Sequence, residues 1–398
     1  MMLKNQERTK AGAKVKHVVY VIKENRTYDQ VFGDITTGNG DPKLCVFGEK
    51  ITPNQHRLAK DFVLLDNYYC NGVLSADGHQ WAIQGIVTPY LERAFGGFSR
   101  TYDFGGDAIT YAPSGFLWDP ILDNGFSFRN FGELTYTDLP KDFRLTQKWR
   151  NYENDQTVFP YRCEIDRLDQ YSSKEYPGWE MGIPDVLRYQ RFDREFKQWE
   201  ASGTMPNLTI VYLPQDHTAG TSPGYPTAAS YVADNDLAVG KLVDRISHSK
   251  FWKDTVIFIN EDDPQAGFDH VDGHRSTCLV VGPMVKRGVT NSNFYNQSSV
   301  FRTILNLFGL PPTNQKAAIA PLMNDLFTTA TDVTPFNFLD PQVDLAFNPS
   351  ASTLKGEAKR IALACAALNK KNADFGTAKE DDLMNRAIWM AMKGNTPY

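Results

Sequence analysis

The stretch Asp254-Thr-Val-Ile-Phe-Ile-Asn-Glu-Asp-Asp263 constrains the fold more than any other part of the chain. Thr255 to Ile259 is a short, unbroken run of apolar and β-branched residues, the pattern of a strand buried on both faces of a parallel sheet. The run then stops at Asn260-Glu261-Asp262-Asp263. Three adjacent carboxylates at the carboxyl end of such a strand repel one another, so they need a cation or several donors close by to remain ionised. Asp269, His270 and His274 follow at short range on a loop, where open α/β sheets usually bind their ligands. The plainer interpretation is a helix N-cap or a solvated loop face, and the acidic cluster alone does not separate the two.

Other stretches repeat the pattern. Val15 to Ile22 reads as a first buried strand that ends in Lys23-Glu24-Asn25-Arg26. If the two strands are parallel neighbours, Glu24 and Asn25 occupy the same structural place as Asp262 and Asp263. Phe62 to Tyr69 is the next strand expected, and Ser75-Ala-Asp-Gly then reads as a loop entering a helix N-terminus, where backbone donors are unpaired. Leu208 to Leu213 is a further strand, followed by a helix from about Thr227 to Ser247. Cys278 to Val285 is another apolar run, and Pro184 to Ala201, Ser298 to Phe308 and Leu354 to Leu368 have helical spacing. The class is therefore α/β, with a mostly parallel central sheet flanked by helices. The expected division is one domain over 15–348 and a small C-terminal helical appendage over 349–398. Within the domain, about 95–200 is irregular and rich in Gly, Pro and aromatic residues. It reads as a long aromatic insertion acting as a cap, which either lines a substrate pocket or covers a sheet edge.

A hydrophobic content of 41% with 22% charged residues excludes a disordered or fibrous chain. A net charge of -5 gives no general attraction to nucleic acid or anionic lipid, so any phosphate must be held locally. Five scattered cysteines carry no zinc-ribbon or disulfide-framework spacing. No apolar run approaches the length of a membrane span, and the charged N-terminus does not read as a signal peptide. The chain enters its first strand almost at once, as one cut from a longer precursor would. The composition fixes no oligomeric state.

Hydrolysing a phosphate ester requires acceleration of up to about 10²¹-fold, so a lone serine is insufficient and charge must be neutralised. The usual arrangement places a nucleophile on a divalent cation, with imidazoles on the remaining oxygens. The chain offers hard oxygen ligands from Glu24, Asn25, Asp262 and Asp263, a hydroxyl from Ser75, and imidazoles from His79, His217, His270 and His274.

These residues carry a resemblance. Lys23-Glu-Asn-Arg-Thr-Tyr-Asp-Gln-Val-Phe-Gly33 resembles the Glu-Asn-Arg-Ser-Phe-Asp signature of the phosphoesterase family, which contains bacterial phospholipases C and a related acid phosphatase. The stretch from Asp254 to Val271 is similar to that family's strand, acidic pair and turn into Asp-His-Val. Ser75, His79 and Gly85 match the nucleophile spacing of the alkaline phosphatase superfamily to which the family belongs, with Gly78 in place of its Asn. The resemblance implies an alkaline-phosphatase-like fold and a metal-dependent hydrolase of phosphoric esters, either a phosphatase or a phospholipase-C-like diesterase. Glu24, Asn25, Asp262 and Asp263 would hold one metal, with Ser75 as a further ligand and the nucleophile that forms a phosphoseryl intermediate. His79 and His217 would serve the phosphoryl oxygens or the leaving group, and His270 and His274 would line the same mouth. Asp216 and His217 are adjacent and Gly220 takes the place of a second-metal His, so one ion is expected, of a kind ranging from calcium to manganese, iron or zinc. The substrate implied is a small phosphate ester, possibly a lipid, and the location implied is periplasmic or secreted. Asp263 and Pro264-Gln-Ala depart from the phospholipases, so the pocket should differ. No Cys-x-Pro-x-Arg or Ser-x-Pro-x-Arg is present to mature as in sulfatases. The alternatives are a non-catalytic metal- or phosphate-binding module and a phosphoryl transferase of the same fold. Glu261 is expected to point away from Asp262, and His17, His56 and His248 to be structural. Asp77 is read as a hydrogen-bond partner near the site, and Asp269 with His270 reads equally as a hydrogen-bonded turn.

Overall fold

The computed structural model describes residues 12–94, 107–139, 151–265, 267–370 and 378–394. In chain order the strands are β1 (His17–Lys23), β2 (Val63–Leu65), β3 (Tyr68–Tyr69), β4 (Phe128–Phe131), β5 (Thr135–Thr137), β6 (Tyr161–Cys163), β7 (Leu208–Leu213), β8 (Thr255–Glu261), β9 (Cys278–Val281), β10 (Val289–Asn291) and β11 (Tyr295–Asn296). A seven-stranded sheet runs in the order β10-β2-β9-β8-β1-β7-β4. All its pairings are parallel except those made by β9, which runs against both β2 and β8.

The three apolar runs form the centre of this sheet. Val18, Val19, Tyr20, Val21 and Ile22 are all fully buried, so both faces of β1 are covered, as its continuous apolar sequence requires. The register aligns the ends: Lys23 pairs with Leu213 of β7 on one side and with Glu261 of β8 on the other. Glu24-Asn25, the turn after Leu213 and Asp262-Asp263 therefore leave the sheet side by side, and Asp262 N donates to Lys23 O at 2.9 Å.

The long helix Ala228–Ser247 is capped by the Thr227 side chain and packs against the helices Asp185–Ser202 and Pro53–Asp61. The helix Ser75–Gln84 packs on Gln297–Leu307 and ends at Gly85. Gly85 has φ +65°, and a Cβ there would meet the Phe301 ring at 2.8 Å, so both backbone and space demand glycine.

Three sequence expectations are corrected. Phe62 to Tyr69 is two strands in two sheets, because Asp66-Asn67 turns the chain: β2 joins the central sheet and β3 pairs with β11. The run from Cys278 forms a strand only to Val281, where Gly282-Pro283 ends it. The irregular stretch is more regular than its composition suggested, since β4 extends the central sheet beside β7 and β5 pairs antiparallel with β6. Of that stretch, 95–106 and 140–150 lie outside the described residues.

The C-terminal segment forms two paired helices, Gly356–Lys370 and Ala378–Lys393, with 371–377 and 395–398 outside the described residues. Leu368, Met384, Ile388 and Trp389 share a buried apolar cluster with Val46, Phe47, Ala228 and Val232. Among the described residues, no helix is long and apolar enough to cross a membrane.

Candidate active site

The three strand ends are pinned by one buried cation. Lys23 Nζ lies 2.6 Å from Glu261 Oε1 and 2.8 Å from Asp216 Oδ2, all three side chains being buried. Burial works against the Lys23 charge, but Asp216 and Glu261 outweigh it and raise the pKa above the ordinary value. Glu261 thus points away from Asp262, as its position in the strand predicts, and also accepts from Thr277. Arg26 donates through Nε and Nη2 to the carbonyls of Asp216 and His217 and so braces the loop after β7.

Beyond this clamp the acidic groups converge. Glu24 N donates to Asp216 Oδ1 at 3.0 Å, and Asn25 follows at φ +65°, which turns consecutive side chains towards one point. Ser75 opens the helix Ser75–Gln84, and its Oγ lies 3.1 Å from Glu24 Oε2 and 3.0 Å from Asp263 Oδ2. A serine hydroxyl has one hydrogen, so it satisfies only one of these carboxylates at a time. The Asn25 oxygen lies 3.4 Å from Ser75 Oγ and also faces Glu24 Oε2 at 2.7 Å, Asp262 Oδ1 at 3.0 Å and Asp263 Oδ2 at 3.1 Å.

The orientation of the Asn25 amide follows from its other neighbours. His217 Nδ1 lies 2.8 Å from the Thr218 carbonyl, which only accepts, so this nitrogen carries the hydrogen and a neutral ring leaves Nε2 as an acceptor. The Asn25 nitrogen faces His217 Nε2 at 3.2 Å and donates to Gln265 Oε1. Turning the amide over would give the carboxylates a donor, but it would also require the Gln265 amide to turn and would demand a charged His217. With its nitrogen engaged on the far side, Asn25 presents its oxygen to Glu24, Asp262, Asp263 and Ser75.

These oxygens crowd around the Ser75 hydroxyl and the Asn25 amide, with the Asn25 backbone N–H also donating to Asp262 Oδ1 at 3.3 Å, and every residue that carries them is fully buried. Such a set fits a hard divalent cation, which takes carboxylate and carbonyl oxygens as ligands. Glu24, His79 and Asp262 also offer ligand atoms within 4.8 Å of one another.

His79 stands one turn of helix beyond Ser75. Its Nε2 lies 2.9 Å from Glu24 Oε1 and its Nδ1 lies 2.9 Å from Glu133 Oε1. Burial would lower its pKa, but Glu133 and Glu24 more than offset this and raise it to about 10. The Tyr212 hydroxyl also donates to Glu24 Oε1, and its ring meets that of His79 edge-on at 5.3 Å. Asp77 accepts from Leu74 N at 3.1 Å and thereby caps the helix that carries Ser75; burial pushes its carboxyl up to about 7.

Two departures from the family pattern have a steric cause. A Cβ at Gly78 would lie 2.6 Å from Asp262 O, so the first helical turn meets the loop after β8 too closely for Asn. Gly220, at φ +55°, would place a Cβ 2.7 Å from Met384 Sδ and 3.0 Å from Cys365 Sγ, which leaves no space for an imidazole.

Glu24, Asn25, Ser75, His79, Asp262 and Asp263 are thus brought together, with His217 behind Asn25. His270 and His274 are not. His270 Nδ1 is 2.6 Å from Asp29 Oδ2, in a cluster where Arg275 also holds Asp29 and Asp269. His274 is exposed and pairs with Asp272 at 3.0 Å. Their proximity in sequence to Asp263 had suggested the mouth of the site, but Arg275 draws this turn towards Asp29. His17 contacts the Pro206 carbonyl, His56 lies between Thr52 and Asp34, and His248 faces Asp244.

Sequence reasoning missed Glu133 and Tyr212. Tyr212 lies within β7, level with Ile22 of β1, a position that register alone could have flagged. Glu133 follows a strand whose Arg129 and Asn130 hide its β character, and nothing local marks it. A further sign is backbone strain. The non-glycine residues at positive φ among the described residues are Asn25, Leu134, Thr218 and Gln265, each at or beside a residue of this site.

The profile of the Phosphoesterase family matches residues 39–311. The chain belongs to the phosphoesterase family. The match contains Ser75, His79, His217, Asp262 and Asp263, while Glu24 and Asn25 precede it. Non-specific phospholipase C6 of Arabidopsis thaliana is 23% identical over 223 residues, which is 44% of this chain and 42% of that protein. Two solved structures share the fold at low identity. The lipoteichoic acid synthase LtaP from Listeria monocytogenes has a TM-score of 0.50 and 12% identity, covering 99% of this chain and 97% of that one. The PsFucS1 sulfatase from Pseudoalteromonas sp. has a TM-score of 0.53 and 12% identity, covering 84% and 77%.

Proposed function

We propose that the chain hydrolyses phosphoric esters, with Ser75 as nucleophile at one divalent cation held by Glu24, Asn25, Asp262 and Asp263. The observation that carries this reading is the gathering of buried oxygens from Glu24, Asn25 and Asp263 at 3.0–3.4 Å from Ser75 Oγ, with Asp262 Oδ1 3.0 Å from the Asn25 oxygen. A bound divalent cation would lower the pKa of the Ser75 hydroxyl and neutralise charge on the phosphoryl oxygens. Ser75 passes its proton to Glu24 or Asp263, the two carboxylates already in hydrogen-bond reach. Its Oγ then bonds to phosphorus as the ester oxygen leaves, and the backbone N–H groups at the head of the Ser75–Gln84 helix favour the negative charge that develops. His79, held between Glu133 and Glu24, supplies a proton to the departing alcohol. Water then cleaves the phosphoseryl ester and restores Ser75.

The name of the Arabidopsis relative makes phospholipids the first diesters to assay, beside chromogenic mono- and diesters. Ser75→Ala is expected to abolish turnover with an unchanged circular dichroism spectrum, and wild-type enzyme quenched during turnover should carry phosphate on the peptide containing Ser75. Full activity in the variant would rule out this nucleophile. Product analysis with an added alcohol separates hydrolysis from transfer to an alcohol.

A further inference from the structure

The last helix reaches the loop after β8. Asn385, nearly fully buried, donates through Nδ2 to the carbonyl of Gln265 at 3.0 Å and to that of Asp381, one turn back in its own helix, at 3.0 Å. Gln265 sits at φ +40°, a conformation that a side-chain-bearing residue adopts only where its surroundings impose it. Two contacts fix it: Asn385 on its carbonyl, and Asp263 Oδ1, which accepts from its N–H. Held there, the Gln265 side chain accepts from the Asn25 amide nitrogen, and this contact helps turn the Asn25 oxygen towards Glu24, Asp262 and Asp263. The same helix seats on the loop after β7 through Met384 at Gly220, and Trp389 meets Phe268 edge-on at 5.7 Å.

We propose that Asn385 is a positioning residue for the cation site, acting through Gln265 on the orientation of Asn25. The C-terminal helices lie beyond the family-matched residues 39–311, yet on this account the site is complete only with them in place. The inference rests on the proposed cation site. Residues that orient a metal ligand from behind typically change affinity by about 10–100-fold when removed. The full-length chain, freed of metal with EDTA, is titrated with Mn²⁺ in a calorimeter as wild type, Asn385→Ala, Asn385→Asp and Arg386→Ala. Asn385→Asp keeps the size of the side chain but cannot donate to Gln265, and it provides a second route should the alanine variant fold poorly. Arg386→Ala removes an exposed ion pair with Asp382 on the same helix and controls for general loosening. The expected result is Mn²⁺ affinity at least about tenfold weaker in both Asn385 variants and unchanged in Arg386→Ala, with metal-free melting temperatures that do not track the loss. Wild-type affinity in the Asn385 variants would overturn the inference and leave the cation site standing. A wild-type chain that binds no Mn²⁺ would overturn both.

Discussion

At the residue scale, small spaces decide what the site tolerates. Gly78→Ala should improve helix propensity by about 1 kcal/mol, but it drives a methyl group against the Asp262 carbonyl, where overpacking costs about 1–3 kcal/mol. The clash wins because its partner is backbone, so a lower urea midpoint with unchanged slope is expected in equilibrium unfolding. A second residue-scale test concerns charge away from the site. Burial would raise the Asp34 carboxyl, but hydrogen bonding and charge from His56 overcome this and lower it from 3.8 to about 2. A carboxylate with a depressed folded pKa contributes stability that is complete above its unfolded value and is lost as pH falls through the folded one. The stability that wild type holds over Asp34→Asn at pH 5 should therefore be lost progressively as pH falls towards 2. A gap that persists at pH 2 would mean that the ion pair is not its source.

At the element scale, legibility followed burial. β1, β7 and β8 are buried on both faces, so their sequences are continuous apolar runs, and their abrupt polar ends named Glu24, Asn25, Asp262 and Asp263. Ser75 and His79 were readable through their resemblance, with Gly85, to the nucleophile spacing of the alkaline phosphatase superfamily, and they lie one helical turn apart at the head of one helix. β4 was not, because its polar residues find partners that the fold brings to them: Arg129 pairs with Glu195, and Asn130 hydrogen-bonds to Ser172 and the Glu133 carbonyl. An edge strand satisfied in this way has no clear period in sequence, and with it Glu133 was lost. The structural consequence is testable. Glu133→Ala should lower turnover by about 10–100-fold, whereas Glu133→Gln, which still accepts from His79 Nδ1, should lose less. Equal losses would mean that charge, and not the orientation of the ring, is what Glu133 supplies.

At the scale of the whole molecule, the site is assembled from distant segments. Asn25 and Asp262 touch across 237 residues of chain, and Ser75 and Asp263 across 188. Sequence alone proposed that these ends meet. It did not show that Lys23 joins them, that Arg275 draws His270 aside, or that the last helix braces Gln265, because each depends on which loops the folded sheet brings into contact. The central claim is that oxygens gathered from these segments surround a cation beside a serine hydroxyl. The most direct measurement is anomalous diffraction from crystals of the full chain grown with Mn²⁺. The account predicts one anomalous peak within about 2.0–2.6 Å of oxygens from Glu24, Asn25, Ser75, Asp262 and Asp263. A peak confined to the Asp29, Asp269 and His270 cluster, or none between the strand ends at saturating Mn²⁺, would contradict it.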